Sequence, residues 1–163
     1  MKRILRLLLA AAFLAGLAML PFHAGEAADL LPVKTVIITK SGREYVVDVG
    51  AGVKAAGKTL AEALERLREE VTGKIFFGTA DQVVVTDTAA DVLEELTESQ
   101  ALRPAAGLYR TPAEGLDAKA VGDYLAAHNS NTTILQVKAR MMTGQPMRIP
   151  VLVPAEGGFR VYE

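Results

Sequence analysis

The chain has no cysteine and no tryptophan, and aromatic residues make up only 6% of its 163 positions. Without cysteine no disulfide can form, so the fold must stand on its hydrophobic core. The same absence rules out lipid attachment to a cysteine at the end of the apolar N-terminal run. The two histidines, His23 and His128, offer no set of ligands at metal-binding spacing. Charge of one sign is also lacking. The net charge is −1, with no basic patch or stripe of the kind that nucleic acid requires. Half of the residues are apolar, and the length suits one domain with a real core.

Lys2, Arg3 and Arg6 precede an unbroken run of 14 apolar and small residues, 7–20, which Pro21 ends. Gly25-Glu26-Ala27 then places small residues where a signal peptidase cuts. The run is short of the ~20 residues that cross a bilayer as a helix. Residues 1–27 therefore read as a signal peptide, with an uncleaved anchor as the alternative, and residues 28–163 as one exported domain. Taking away the three cations and Glu26 leaves 15 basic and 18 acidic residues, a net of −3.

The pattern after this segment predicts an α/β fold: a mixed β-sheet with strand–helix–strand crossovers and a C-terminal hairpin. Residues 33–39 (VKTVIIT) and 43–49 (REYVVDV) form an antiparallel hairpin about Ser41-Gly42. Residues 59–71 form an amphipathic helix ended by Gly73. Thr59 and Glu62 stand at capping-box spacing, Leu60, Leu64, Leu67 and Val71 share one face, and Glu62 and Arg66 pair outside. The segments IFFG (75–78) and QVVVT (82–86) suit a strand covered on both faces. Asp87 or Thr88 caps a helix reaching Glu98, and residues 107–110 make a short strand. Asp117 caps a helix to His128, and Asn131 caps another to about Met142. The tail forms a hairpin around Glu156-Gly157-Gly158, with Pro150 and Pro154 holding its first strand at a sheet edge. The expected core comprises Leu60, Leu64, Leu67, Phe76, Val84, Val85, Val92, Leu93 and Leu96.

One segment has the letters of a catalytic motif. Gly52-Val53-Lys54-Ala55-Ala56-Gly57-Lys58-Thr59 fits the phosphate-loop pattern G-x-x-x-x-G-K-[ST], with a strand before it and a helix beginning at Thr59. Such a loop cradles phosphate on backbone N–H groups, and the strand 83–86 ending at Asp87 could supply an acidic metal ligand. Export argues against nucleotide chemistry. The plainer reading accounts for every residue: Gly52 and Gly57 turn the chain, Lys58 is solvated, and Thr59 caps. Other candidates are thinner. His128 sits at a helix end and Asp87 and Asp91 on a solvated helix face. None of Ser41, Ser99 and Ser130 lies in a G-x-S-x-G elbow. Asn131-Thr132-Thr133 matches a glycosylation acceptor as well as a cap. No catalytic, cofactor or metal residue is assigned.

The stretch Gly57-Lys58-Thr59-Leu60-Ala61-Glu62-Ala63-Leu64, followed by Lys74-Ile75-Phe76-Phe77-Gly78 and Val83-Val84-Val85-Thr86, resembles the N-terminal domain of the Ger(x)C lipoproteins, the C subunits of spore germinant receptors. The upstream hairpin (Val36-Ile37-Ile38-Thr39-Lys40 and Tyr45-Val46-Val47-Asp48-Val49) and Ile149-Pro150-Val151-Leu152 extend the likeness over residues 33–153. The resemblance implies a non-enzymatic role on the outer face of the inner spore membrane, alongside two membrane subunits, and a structural reason for G-K-T without nucleotide. Two departures stand out: the lipid-bearing cysteine is absent, and the chain is expected to be a single-domain relative. The leading expectation is an exported interaction domain in germination. The alternatives are an extracytoplasmic binding domain with an unrelated partner, and a nucleotide-binding protein using residues 52–59. Which germinant or other small molecule would be bound stays open.

Overall fold

The computed structural model describes residues 30–71, 74–128 and 132–163. The signal or anchor segment, Gly73, Ser130 and Asn131 lie outside them. The elements in chain order are β1 (Leu30–Pro32), β2 (Thr35–Ser41), β3 (Glu44–Asp48), β4 (Lys54–Gly57), α1 (Leu60–Glu70), β5 (Lys74–Phe76), β6 (Gln82–Thr86), α2 (Leu93–Glu98), β7 (Gly107–Thr111), α3 (Ala118–Ala127), α4 (Ile134–Met142), β8 (Val151–Ala155) and β9 (Gly158–Tyr162). Short 3-10 turns, Phe77–Thr79 and Asp87–Val92, follow β5 and β6. This is the mixed α/β architecture that the pattern predicts.

Seven strands form one sheet in the order β4-β3-β2-β6-β7-β8-β9, and β1 pairs with β5 in parallel beside it. β2, β6, β7 and β8 run parallel, while antiparallel hairpins extend both ends. Alternation along the central strands divides the core. Val36, Ile38, Val83, Val85 and Leu108 point to the face covered by α1, α2 and α4. Ile37, Val84 and Tyr109 point to the other, where α3 lays down Ala118, Val121 and Leu125. All five residues of β6 are buried, as expected of a parallel strand with helices on both sides.

α1, α3 and α4 start where the sequence supplies a side-chain cap. Thr59 Oγ1 accepts from the Glu62 N–H at 3.1 Å, and Asp117 Oδ1 accepts from the Ala120 N–H at 2.6 Å. Leu60, Leu64 and Leu67 are buried, at about 1.5–3 kcal/mol each. The Arg66–Glu62 pair forms at 2.6 Å on the outside.

Five local expectations need correcting. Neither Asp87 nor Thr88 caps a helix to Glu98: Asp87–Val92 is a 3-10 turn, α2 begins only at Leu93 without a side-chain cap, and the two side chains bond instead to Arg110 and Glu114. Residues 54–57 form a strand rather than part of a loop. Phe77, not Phe76, enters the core: Ile75 points in, so Phe76 points out and is 48% exposed, and the 3-10 turn swings Phe77 back under α1 to 1% exposure. The helix after residue 131 is capped by Thr133, whose hydroxyl and backbone N–H exchange bonds with Gln136 in a complete capping box. Finally, β8 is not an edge strand, because β9 lies outside it. Its proline is tolerated because β7 pairs only at Val151, so Pro154 lies beyond that ladder.

Candidate functional site

The phosphate-loop lookalike resolves into a hairpin and a helix cap. Asp48 Oδ1 accepts from the Gly50 N–H at 2.8 Å, starting a turn in which Gly50, Ala51 and Gly52 all have positive φ. Residues 54–57 then pair with β3, Lys54 opposite Asp48 and Gly57 opposite Tyr45. At Gly57 the chain meets α1 so closely that a Cβ would lie 2.5 Å from the Ala63 nitrogen. The glycine is therefore needed by strand–helix packing, with no phosphate involved.

The start of α1 is already occupied by acids. Glu62 Oε2 accepts from the Lys58 N–H and Glu95 Oε1, from α2, accepts from the Ala61 N–H, each at 2.8 Å. Two carboxylates thus use the positive helix end that a phosphate would need. An incoming anion would meet their repulsion and lose those donors. Asp87 is not brought to the motif either. It directly follows β6, three strand spacings or about 14 Å across the sheet from β4. Its Oδ1 accepts from Arg110 Nη2 at 2.7 Å and Nε at 3.2 Å.

A polar belt surrounds the carboxyl ends of β2, β6 and β7. The Thr86 hydroxyl sits 3.3 Å from the Ile38 carbonyl and 2.8 Å from Thr88 Oγ1, which reaches Glu114 at 2.7 Å. Lys40 pairs with Asp91 and stands 5.0 Å over the Tyr45 ring. The bond to Asp91, against a smaller effect of burial, holds the Lys40 ammonium above its ordinary value. The same bond holds the Asp91 carboxyl below its ordinary value. Burial, helped by Asp91, raises the Tyr45 phenol. These bonds tie β2 and β7 to the 3-10 turn after β6, and that turn to the loop after β7.

At the opposite, amino end of the parallel strands lies a cleft of about 690 Å³. It opens where Thr35, Gln82 and Gly107 begin β2, β6 and β7, and small residues of α3, including Gly122, form one wall. Arg103 pairs with Asp81 at 3.2 Å and Lys119 with Asp123 at 2.6 Å on its rim. Nothing in the linear pattern marks this cleft, since its residues are spread from Pro32 to Thr133.

His128 closes α3: its Nδ1 donates to the Tyr124 carbonyl at 2.9 Å and its ring stacks on Tyr124 at 4.2 Å. Among the described residues no three His, Asp or Glu side chains stand where they could hold a metal ion, and no helix is long and apolar enough to cross a membrane. Comparison with protein-family models, curated proteins and solved structures finds no match to this chain.

Proposed function

We propose that the chain is an exported, non-enzymatic interaction domain acting in spore germination alongside membrane subunits of a germinant receptor, on the outer face of the inner spore membrane. The observation that carries this reading is the use made of Gly57, Lys58 and Thr59. In the Ger(x)C-like pattern a G-K-T turn opens a helix for structural reasons. Here Gly57 admits the helix, Thr59 caps it, Glu95 takes the Ala61 N–H in its first turn, and Glu62 takes the Lys58 N–H just before the cap. The other residues that carry the resemblance also have structural tasks: Leu64 and Phe77 fill the core under α1, and Val83, Val84 and Val85 form the central strand. With no cysteine for a lipid, the domain is held by an uncleaved N-terminal segment or by its partners.

A second reading, an extracytoplasmic binding domain with an unrelated partner, draws support from the 690 Å³ cleft, a size that suits a small ligand. Deletion of the gene separates the two. The germination reading expects spores that respond slowly to nutrient germinants and recover when the full chain is restored. Normal germination, with the protein made in vegetative cells, would count for the second reading.

A further inference from the structure

The outer side of α4 carries an apolar stripe where a solvated helix would be polar throughout. Its inner side is accounted for, since Ile134 and Val137 are buried in the main core and Met141 packs against it. Outside, Leu135, Ala139 and Met142 follow each other at helical spacing on one stripe, and all three are exposed. Leu135 is 58% exposed and Met142 79%, and Met147, in the loop beyond, is 47% exposed. That loop stays close to the helix end, because Gly144 and Gln145 donate backbone bonds to Met141 and Arg140.

The chain segment that carries this stripe has charge of one sign. Between Asp123 and Glu156 the chain has no acidic residue, while Lys138, Arg140 and Arg148 fall within it. The acids belong to other elements: α1 carries Glu62, Glu65, Glu69 and Glu70, and α2, which packs beside α4, carries Glu94, Glu95 and Glu98. Apolar side chains set among cations are what a helix lying on an anionic bilayer presents. We infer that α4 and the loop through Arg148 rest on the anionic lipid surface of the membrane to which the domain is delivered. The inference rests on the proposed export, because the apolar run at residues 7–20 is what brings the chain to a membrane. Three cations and three large apolar side chains make a weak contact by themselves. The contact therefore orients a domain already held there, with α4 against the lipid and α3, across the sheet, turned away.

Because the chain has no cysteine, one introduced thiol can carry a fluorophore at a single position. The full chain is labelled with nitrobenzoxadiazole at Met142→Cys, or at Ala120→Cys on exposed α3 as the reference, and bound to vesicles. On phosphatidylglycerol–phosphatidylcholine vesicles, the expected result is a several-fold rise and blue shift at position 142 and little change at position 120. On pure phosphatidylcholine, or with Lys138→Glu and Arg148→Glu combined, most of that rise should vanish. Equal responses at the two positions, or a response indifferent to lipid charge, would overturn the inference. So would a label at position 142 that stays wet on lipid and is buried only when a membrane subunit is added, since that assigns the stripe to protein. None of these readings depends on germination, so a failure here is distinct from a failure of the proposed function.

Discussion

Gly57 and Lys58 are neighbours whose substitution separates packing from phosphate chemistry. A methyl group at Gly57 would press on the α1 backbone, 2.5 Å from the Ala63 nitrogen, so Gly57→Ala should cost about 1–3 kcal/mol in urea unfolding. Lys58 is exposed, and Lys58→Ala should stay within about 0.5 kcal/mol of the parent. The adjacent phenylalanines offer a similar contrast. Phe77→Ala empties a core position and should cost about 3–5 kcal/mol, against about 1 kcal/mol for the half-exposed Phe76→Ala. Equal costs would mean that the 3-10 turn after β5 is misplaced. The two rings could not be told apart in the sequence, because a run of two aromatics has no period. What decides between them is the turn, which Gly78 permits by leaving room for the Phe76 ring.

Among the elements, those with strong periodicity and a capping residue were legible: β2, β3, β6, α1 and α3 match their patterns closely. β4 was not. Its residues, Lys-Ala-Ala-Gly, have little strand propensity, and they are extended only because β3 pairs with them. A signal was present in Asp48-Val49-Gly50, whose side-chain-to-backbone bond starts a hairpin turn, but the phosphate-loop letters overlay it. The cleft and the polar belt were illegible for another reason: each gathers residues from strands far apart in the chain. The Lys40–Asp91 pair joins β2 to the 3-10 turn before α2 and should show in pH dependence. Asp91, held below its ordinary value, contributes stability that is complete in neutral solution and lost as pH falls below about 4. Lys40, held above its ordinary value, contributes stability that is lost only as pH rises beyond about 10.4. Asp91→Asn should therefore lower the Tm slightly at neutral pH. Its melting curve should converge with that of the parent in acid and at high salt, because both partners are partly solvated.

For the whole molecule, the mixed sheet with helices on both faces follows from the pattern of runs, while the functional reading rests on a family likeness and on what the fold does with it. The nucleotide alternative is directly testable. With Glu62 and Glu95 at the start of α1, calorimetric titration with MgATP should give no heat at millimolar nucleotide. Saturable heat that Lys58→Ala abolishes would restore residues 52–59 as a phosphate site. The central claim concerns partners, and the measurement closest to it is a cross-linked pull-down of the tagged full chain from spore membranes of its host. Recovery of germinant-receptor membrane subunits is the expected result. Recovery of the protein from the soluble fraction alone, without those subunits, would contradict it.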